Sequence, residues 1–280
     1  MDEHVLVLVG RQAMSVFIIA EVGSTHGGNL PNARAAVEIF AQRGADAVKF
    51  QWTSDPARMA ARRHASEYAD AYRALAFPRE WLAELAAHCQ RYNVEFICTT
   101  FLPEDTAVVA PYVNWFKVSA FEATDDAFLA LHEPFGKPVI VSTGMMDLTD
   151  VSLLVATHRH VTTVLHCVSA YPSPPEAMNL LAIDTMRAVL GPRGIVVGLS
   201  DHSRHVLTGA LAVALGAEVV EVHVRLGSTL ESCPDYPVSL SPQELKQYVE
   251  NVRLAERMRG DGRKVMQDAE RPLARYRVTT

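Results

Sequence analysis

The chain has 280 residues, with 26 Lys+Arg against 32 Asp+Glu for a formal net charge of −6, and is 49% hydrophobic and 21% charged. That apolar content excludes a disordered chain, because burial of this much apolar surface offsets the entropy of ordering. The acidic balance argues against nucleic acid or an anionic membrane as partner, since each needs a basic face.

The N-terminal MDEHVLVLVGRQ holds an apolar run, but acids precede it and no small-residue cleavage site follows, so it reads as no signal peptide. Residues 1–16 are expected to form a strand or hairpin capping the domain that follows. No stretch approaches the roughly 20 apolar residues of a membrane span. Cys89, Cys98, Cys167 and Cys233 are scattered without a C-x-x-C pair. They read as reduced thiols of a cytoplasmic protein, and self-association into a homo-oligomer stays open.

Strand-like and helix-like runs then alternate. A strand is expected at 17–23 (FIIAEVG), a helix over 30–45, a strand at 47–51 (AVKFQ) and a helix over 78–93. Strands follow at 95–101 (EFICTTF), 115–120 (WFKVSA) and 138–144 (PVIVSTG). A helix over 152–160 leads to strands at 162–169 (TTVLHCVS) and 194–200 (GIVVGLS). A helix over 207–217, a strand at 219–224 (VVEVHV) and a helix over 243–260 complete the series, and 261–280 reads as a polar, basic tail. Eight buried-looking strands separated by helices imply parallel pairing through right-handed crossovers. The predicted fold is α/β, a single-domain (β/α)8 TIM barrel over 17–260, with a doubly wound open sheet as the alternative.

Polar residues crowd the C-terminal ends of these strands: Glu21, Lys49, Gln51, Lys117, Glu122, Ser142, Thr143, His166, Ser169, Ser200, His202 and His223. In a barrel that end is the catalytic face. Lys49 and Gln51 lie two apart and share one face of a strand. Buried lysines need partners, either an anionic ligand or structural ion pairs with Glu21 or Glu122. His202 and His223, on or just past adjacent strands, suit a divalent metal, or are hydrogen-bonded core residues. Asp235 in CPDYP is a ligand, a base or a turn residue. Ser142-Thr143-Gly144-Met145 suits an anion or caps a helix. Neither G-x-G-x-x-G nor a Walker motif is present, which leaves nucleotide binding without support.

FIIAEVGSTHGG, AVKFQ, FKVSAFE, VSTGM, LHCVSAYP, GLSDHS and EVHV with PDYPVSL occur in the order found in the N-acetylneuraminate (sialic acid) synthase family. The chain resembles that family over about 17–245. The resemblance implies condensation of phosphoenolpyruvate with an aldose or other aldehyde acceptor, giving a 2-keto-3-deoxy acid and inorganic phosphate, assisted by Mn²⁺ or Mg²⁺. It implies phosphoenolpyruvate contacts from Lys49, Lys117, Ser142 and Ser200, with Ser119, Thr143 and Ser169 completing the binding set, and metal ligation by His202 and His223. Glu21 would stand at the reacting centre, while Gln51, Glu122, Tyr171 and Asp235 would face the acceptor; Glu21, Glu122 and Asp235 are the candidates for proton handling.

The chain departs from the family pattern at Ala120, where Ser is usual and Ser119 is the adjacent substitute, and at Ser169, where Asn is common. The family's C-terminal antifreeze-like domain is expected to be lacking, which points to a non-standard acceptor. A metal-dependent pyruvate aldolase or lyase and a catalytically silent binding subunit are the competing readings.

Overall fold

The computed structural model describes residues 15–278, so residues 1–14 of the expected N-terminal strand or hairpin lie outside the described residues. Strand β1 (Phe17–Glu21) leads through α1 (Leu30–Gln42) to β2 (Ala47–Gln51). An excursion carrying α2 (Pro56–Arg62) and α3 (Ala69–Leu75) precedes α4 (Glu80–Arg91) and β3 (Glu95–Thr99). Next come α5 (Asp105–Val109), β4 (Phe116–Val118), α6 (Asp126–Ala130), β5 (Val139–Ser142), α7 (Leu148–Thr157) and β6 (Val161–Cys167). The chain continues through α8 (Leu181–Leu190), β7 (Val196–Asp201), α9 (Thr208–Ala214), β8 (Val219–His223) and α10 (Pro242–Arg259). A 3-10 segment, Asp268–Tyr276, follows on the surface.

Each strand pairs parallel with the next, and β8 returns to β1, giving the closed barrel rather than the open sheet. Most expected strands ran past their observed C-terminal ends, as at Thr143 and Ser169, which follow β5 and β6. The excursion over 52–79 had no predicted element before the helix at 78. Its two short helices are alanine-rich, and among the described side chains they bury only Met59 and Ala60 of α2, so they carry little periodic signal.

Helix starts follow local chemistry. Asn29 caps α1 by accepting from the Asn32 N–H, while Asp147 with Asp150 and Ser241 with Glu244 form reciprocal capping boxes on α7 and α10. Along the strands, side chains alternate between two cores. Ile18, Ala20, Val48, Phe50, Phe96, Val141, Val197 and Val220 face the helices. Phe17, Ile19, Ala47, Ile97, Trp115, Ile140, Leu165 and Val219 fill the barrel interior. Gly198 is required on β7, where a Cβ would lie 2.2 Å from the Val219 carbonyl oxygen.

Candidate active site

Continue the inward-facing alternation toward the C-terminal strand ends, and the filling changes from apolar to charged. Register sets Glu21 level with Lys49 and with His223, Thr99 level with Lys117, and Ser200 level with Glu221. Lys49 Nζ lies 2.8 Å from Glu21 Oε2 and 3.8 Å from Glu221 Oε2, and donates to Thr99 Oγ1 at 3.2 Å. Gln51 Nε2 donates to the other Glu21 oxygen at 2.6 Å. Lys117 Nζ donates to Ser142 Oγ at 2.8 Å and to the Val118 carbonyl at 3.0 Å, with Glu221 Oε1 at 3.9 Å. Ser200 Oγ donates to that same Glu221 oxygen at 3.1 Å. Both carboxylates and both ammonium groups are buried. Such a set persists because each charge faces an opposite one.

The two lysines are not equivalent. Burial pulls the Lys49 ammonium down, but the carboxylates of Glu21 and Glu221 outweigh it and hold Lys49 above its ordinary range. For Lys117, burial prevails over Glu221 and the neighbouring Lys49 charge adds to it, so Lys117 is held below its ordinary range. Burial raises the Glu221 carboxyl, yet Lys117 and Lys49 together outweigh that and hold it at about 2. Lys117 is therefore the under-compensated cation of the ring, and an arriving phosphate or carboxylate stabilises it most.

The histidines stand beside this ring, with the His202 and His223 ring centroids 5.3 Å apart. His202 Nδ1 lies 2.9 Å from the Val168 carbonyl oxygen. A carbonyl only accepts, so this nitrogen carries the proton and Nε2 keeps a free lone pair. Burial, with His223 adding to it, lowers the His202 pKa to about 4 and keeps the ring neutral. His223 Nδ1 is buried without a hydrogen-bond partner, 4.0 Å from Asp235 Oδ1. Two imidazole lone pairs with a carboxylate close by fit a divalent cation. Among the described residues no group of three metal-ligating side chains converges. Asp235 is held through its other oxygen, Oδ2, which accepts from the Ser24 N–H at 2.7 Å and the Ser24 hydroxyl at 2.6 Å. Gly23, at φ +50°, permits that approach, since a Cβ there would lie 2.5 Å from Asp235 Oδ2.

These groups line a cavity of about 640 Å³ at the barrel mouth. Glu21, Lys49, Gln51, Lys117, Ser119, Ser142, Tyr171, Ser200, His202, His223 and Asp235 all border it. Glu122, Thr143 and Ser169 do not. The Thr143 hydroxyl donates to the Leu165 carbonyl at 3.0 Å, the Ser169 hydroxyl is buried without a partner, and Glu122 sits behind Arg63. Neither lysine pairs with Glu122, whose oxygens bond Arg63 and Ser119 instead. His166 also turns away, its Nε2 2.8 Å from the Met178 carbonyl oxygen. The excursion supplies an outer wall of four aromatic residues, Trp52, Tyr68, Tyr72 and Phe77, with Met59 and Arg63.

Sequence reasoning passed over Glu221, although it lies two residues before His223, and strand periodicity puts both on one face. Thr99 carried the same signal two residues after Ile97. His26 also lines the cavity; its Nδ1 accepts from the Gly28 N–H at 3.0 Å, and burial lowers its pKa to about 4. Arg63 had no signal, because its partner Glu122 is distant in sequence and both lie outside regular strands.

Residues 36–264 match the NeuB family. An uncharacterized protein of Methanocaldococcus jannaschii is 36% identical over 264 residues, spanning 91% of this chain and 75% of its own length. The N,N'-diacetyllegionaminic acid synthase of Campylobacter jejuni is 31% identical over 271 residues, spanning 90% of this chain and 80% of its own. The crystal structure of an N-acetylneuraminic acid (sialic acid) synthetase from Leptospira borgpetersenii aligns with a TM-score of 0.83 at 28% identity, covering 94% of this chain and 91% of that one.

Proposed function

The chain belongs to the NeuB family, and we propose that it is a C–C bond-forming transferase that condenses phosphoenolpyruvate with an aldose or related aldehyde. The observation that carries this reading is the alternating ring of Glu21, Lys49, Glu221 and Lys117 beside two adjacent imidazoles.

Lys117, with the Ser142 and Ser200 hydroxyls, binds the phosphate and carboxylate of phosphoenolpyruvate. Lys49 lies between Glu21 and this pocket, so it joins the anion while pairing with Glu21. Orientation of the enol against the aldehyde lowers the barrel's entropic cost of bringing two substrates together. The enol C3 attacks the aldehyde carbon, forming the C–C bond, and the aldehyde oxygen takes a proton to become a hydroxyl. Cationic character then appears at C2, and the Glu21 carboxylate, clamped by Gln51 and Lys49, stabilises it. Water adds at C2 and loses one proton, balancing the one taken by the aldehyde oxygen; the tetrahedral carbon then expels inorganic phosphate by C–O cleavage as the C2 hydroxyl passes its proton to the departing phosphate, leaving the 2-keto acid. A divalent cation, Mn²⁺ or Mg²⁺, held by His202 and His223 would supply Lewis-acid polarisation of the aldehyde. Asp235, fixed by Ser24, is the carboxylate at the acceptor side best set to exchange the proton.

The test is release of inorganic phosphate from phosphoenolpyruvate with Mn²⁺ and a panel of aldoses. Acceptor-dependent phosphate release is expected, together with a rise in melting temperature on adding Mn²⁺ that His202→Ala/His223→Ala abolishes. Consumption of pyruvate without phosphate, or substrate binding with no turnover, overturns the proposal.

A further inference from the structure

Glu122 is expected from sequence to face the acceptor, yet the group between that carboxylate and the cavity is Arg63. Arg63 directly follows α2 in the excursion over the barrel mouth. Its side chain is 16% exposed against 3% for Glu122. Arg63 Nε donates to Glu122 Oε1 at 2.9 Å, and Nη2 donates to Oε2 at 2.8 Å and to Ser119 Oγ at 3.3 Å. The guanidinium carbon lies 4.6 Å from the Phe101 ring centroid and 4.8 Å from that of Phe121. These contacts hold a long side chain in one pose before any ligand arrives. They engage Nε and Nη2, and Nη1 is the edge of the fork left out of them.

We infer that Arg63 is the specificity-determining group for the acceptor: Nη1 donates to a neutral sugar oxygen, a hydroxyl or an amide carbonyl, while Glu122 positions Arg63 and cancels its charge. The inference rests on the proposed condensation. A guanidinium recognises oxygens by geometry as well as charge, and here the bidentate pair fixes that geometry. Charge sets the class of sugar. Lys49, Lys117 and Arg63 are the cations that border the cavity among the described residues. The lysines answer to Glu21, Glu221 and the incoming phosphoenolpyruvate, and Arg63 is already neutralised by Glu122. A phosphorylated aldose would bring a second phosphate to a wall with no uncompensated cation, so the unphosphorylated sugar is selected. The apolar faces of Met59, Tyr68, Tyr72 and Phe77 border the same wall and strengthen the contact by excluding water.

Steady-state phosphate release with each aldose, and with the same aldose carrying a terminal phosphate, tests this in the full chain. Arg63→Met/Glu122→Gln removes both charges together, so no buried carboxylate is left unpaired. The acceptor KM is expected to rise about tenfold while that for phosphoenolpyruvate stays within about twofold, with Arg63→Lys in between. Glu122→Gln, which leaves the Arg63 charge uncancelled, is expected to shift kcat/KM about tenfold toward the phosphorylated aldose. Quenching of Trp52 fluorescence by the aldose, without phosphoenolpyruvate, reports binding independently of turnover, as Trp52 borders the cavity. An acceptor KM and quench unmoved in the double variant, a wild-type preference for the phosphorylated sugar, or a Glu122→Gln ratio equal to wild type overturns the inference. Absence of phosphate release with every aldose, while Arg63-dependent quenching persists, refutes the condensation and leaves Arg63 as the sugar-binding group.

Discussion

The barrel interior has two halves made by the same strands. In the lower half Ile19, Ala47, Ile97, Trp115, Ile140 and Val219 pack against one another. Two residues further along, the inward positions hold Glu21, Lys49, Thr99, Lys117, Ser142 and Glu221. Equal burial thus has opposite consequences. Below, removing apolar surface from water stabilises directly. Above, desolvation opposes folding, and the charges are tolerated only because Glu21, Lys49, Glu221 and Lys117 face one another. Stability and chemistry are therefore separated by one strand period, and the lower half offsets the cost of the upper.

The most damaging way to break this contrast is Lys49→Met. It leaves Glu21 buried with Gln51 as its hydrogen-bond donor, and a destabilisation of about 3–5 kcal/mol is expected in denaturant titration. Phosphate release should fall about 10³-fold in the surviving folded protein. A variant as stable and active as wild type would erase the distinction between the halves.

In the lower half, Ile97→Ala should cost about 2–5 kcal/mol by leaving a cavity. The KM values for both substrates should stay unchanged at a temperature where the variant is folded. A shifted phosphoenolpyruvate KM would mean that the lower packing also tunes the site.

A smaller effect comes from outside both halves, at His132, buried behind the sheet against Phe116 and Phe128. Burial lowers its pKa to about 4, against 6.5 for an ordinary histidine. Between those values the unfolded chain binds a proton that the folded chain does not. Stability from this group is therefore complete above about pH 6.5 and is lost as pH falls toward 4, by up to about 3 kcal/mol. Chemical denaturation at stepped pH should show that decline, and His132→Gln should flatten it. An identical slope in the variant would assign the decline to other groups.

The strands and their order were readable because apolar runs bounded by helices leave few alternatives for a parallel sheet. Lys49, Lys117 and His223 were readable for the same reason, as strand periodicity places each on the inward face. Glu221 obeyed that rule and was overlooked beside His223. Thr143 and Ser169 follow strands, where periodicity no longer sets direction, whereas His166 lies within β6, one residue off the inward Leu165, and so faces the helices. Their side chains turned to the Leu165 carbonyl, to a buried position without a partner, and to the Met178 carbonyl respectively.

Alternation and spacing in the sequence alone thus determine the eight parallel strands, most of their inward-facing residues and the charged character of one end, while closure rests on the pairing of β8 with β1. Which charges pair, and which of them meets a ligand, was decided in three dimensions. Glu221 between two lysines and Arg63 in front of Glu122 join segments remote along the chain. Ion pairing depends on distance and burial, and neither is written in the order of residues.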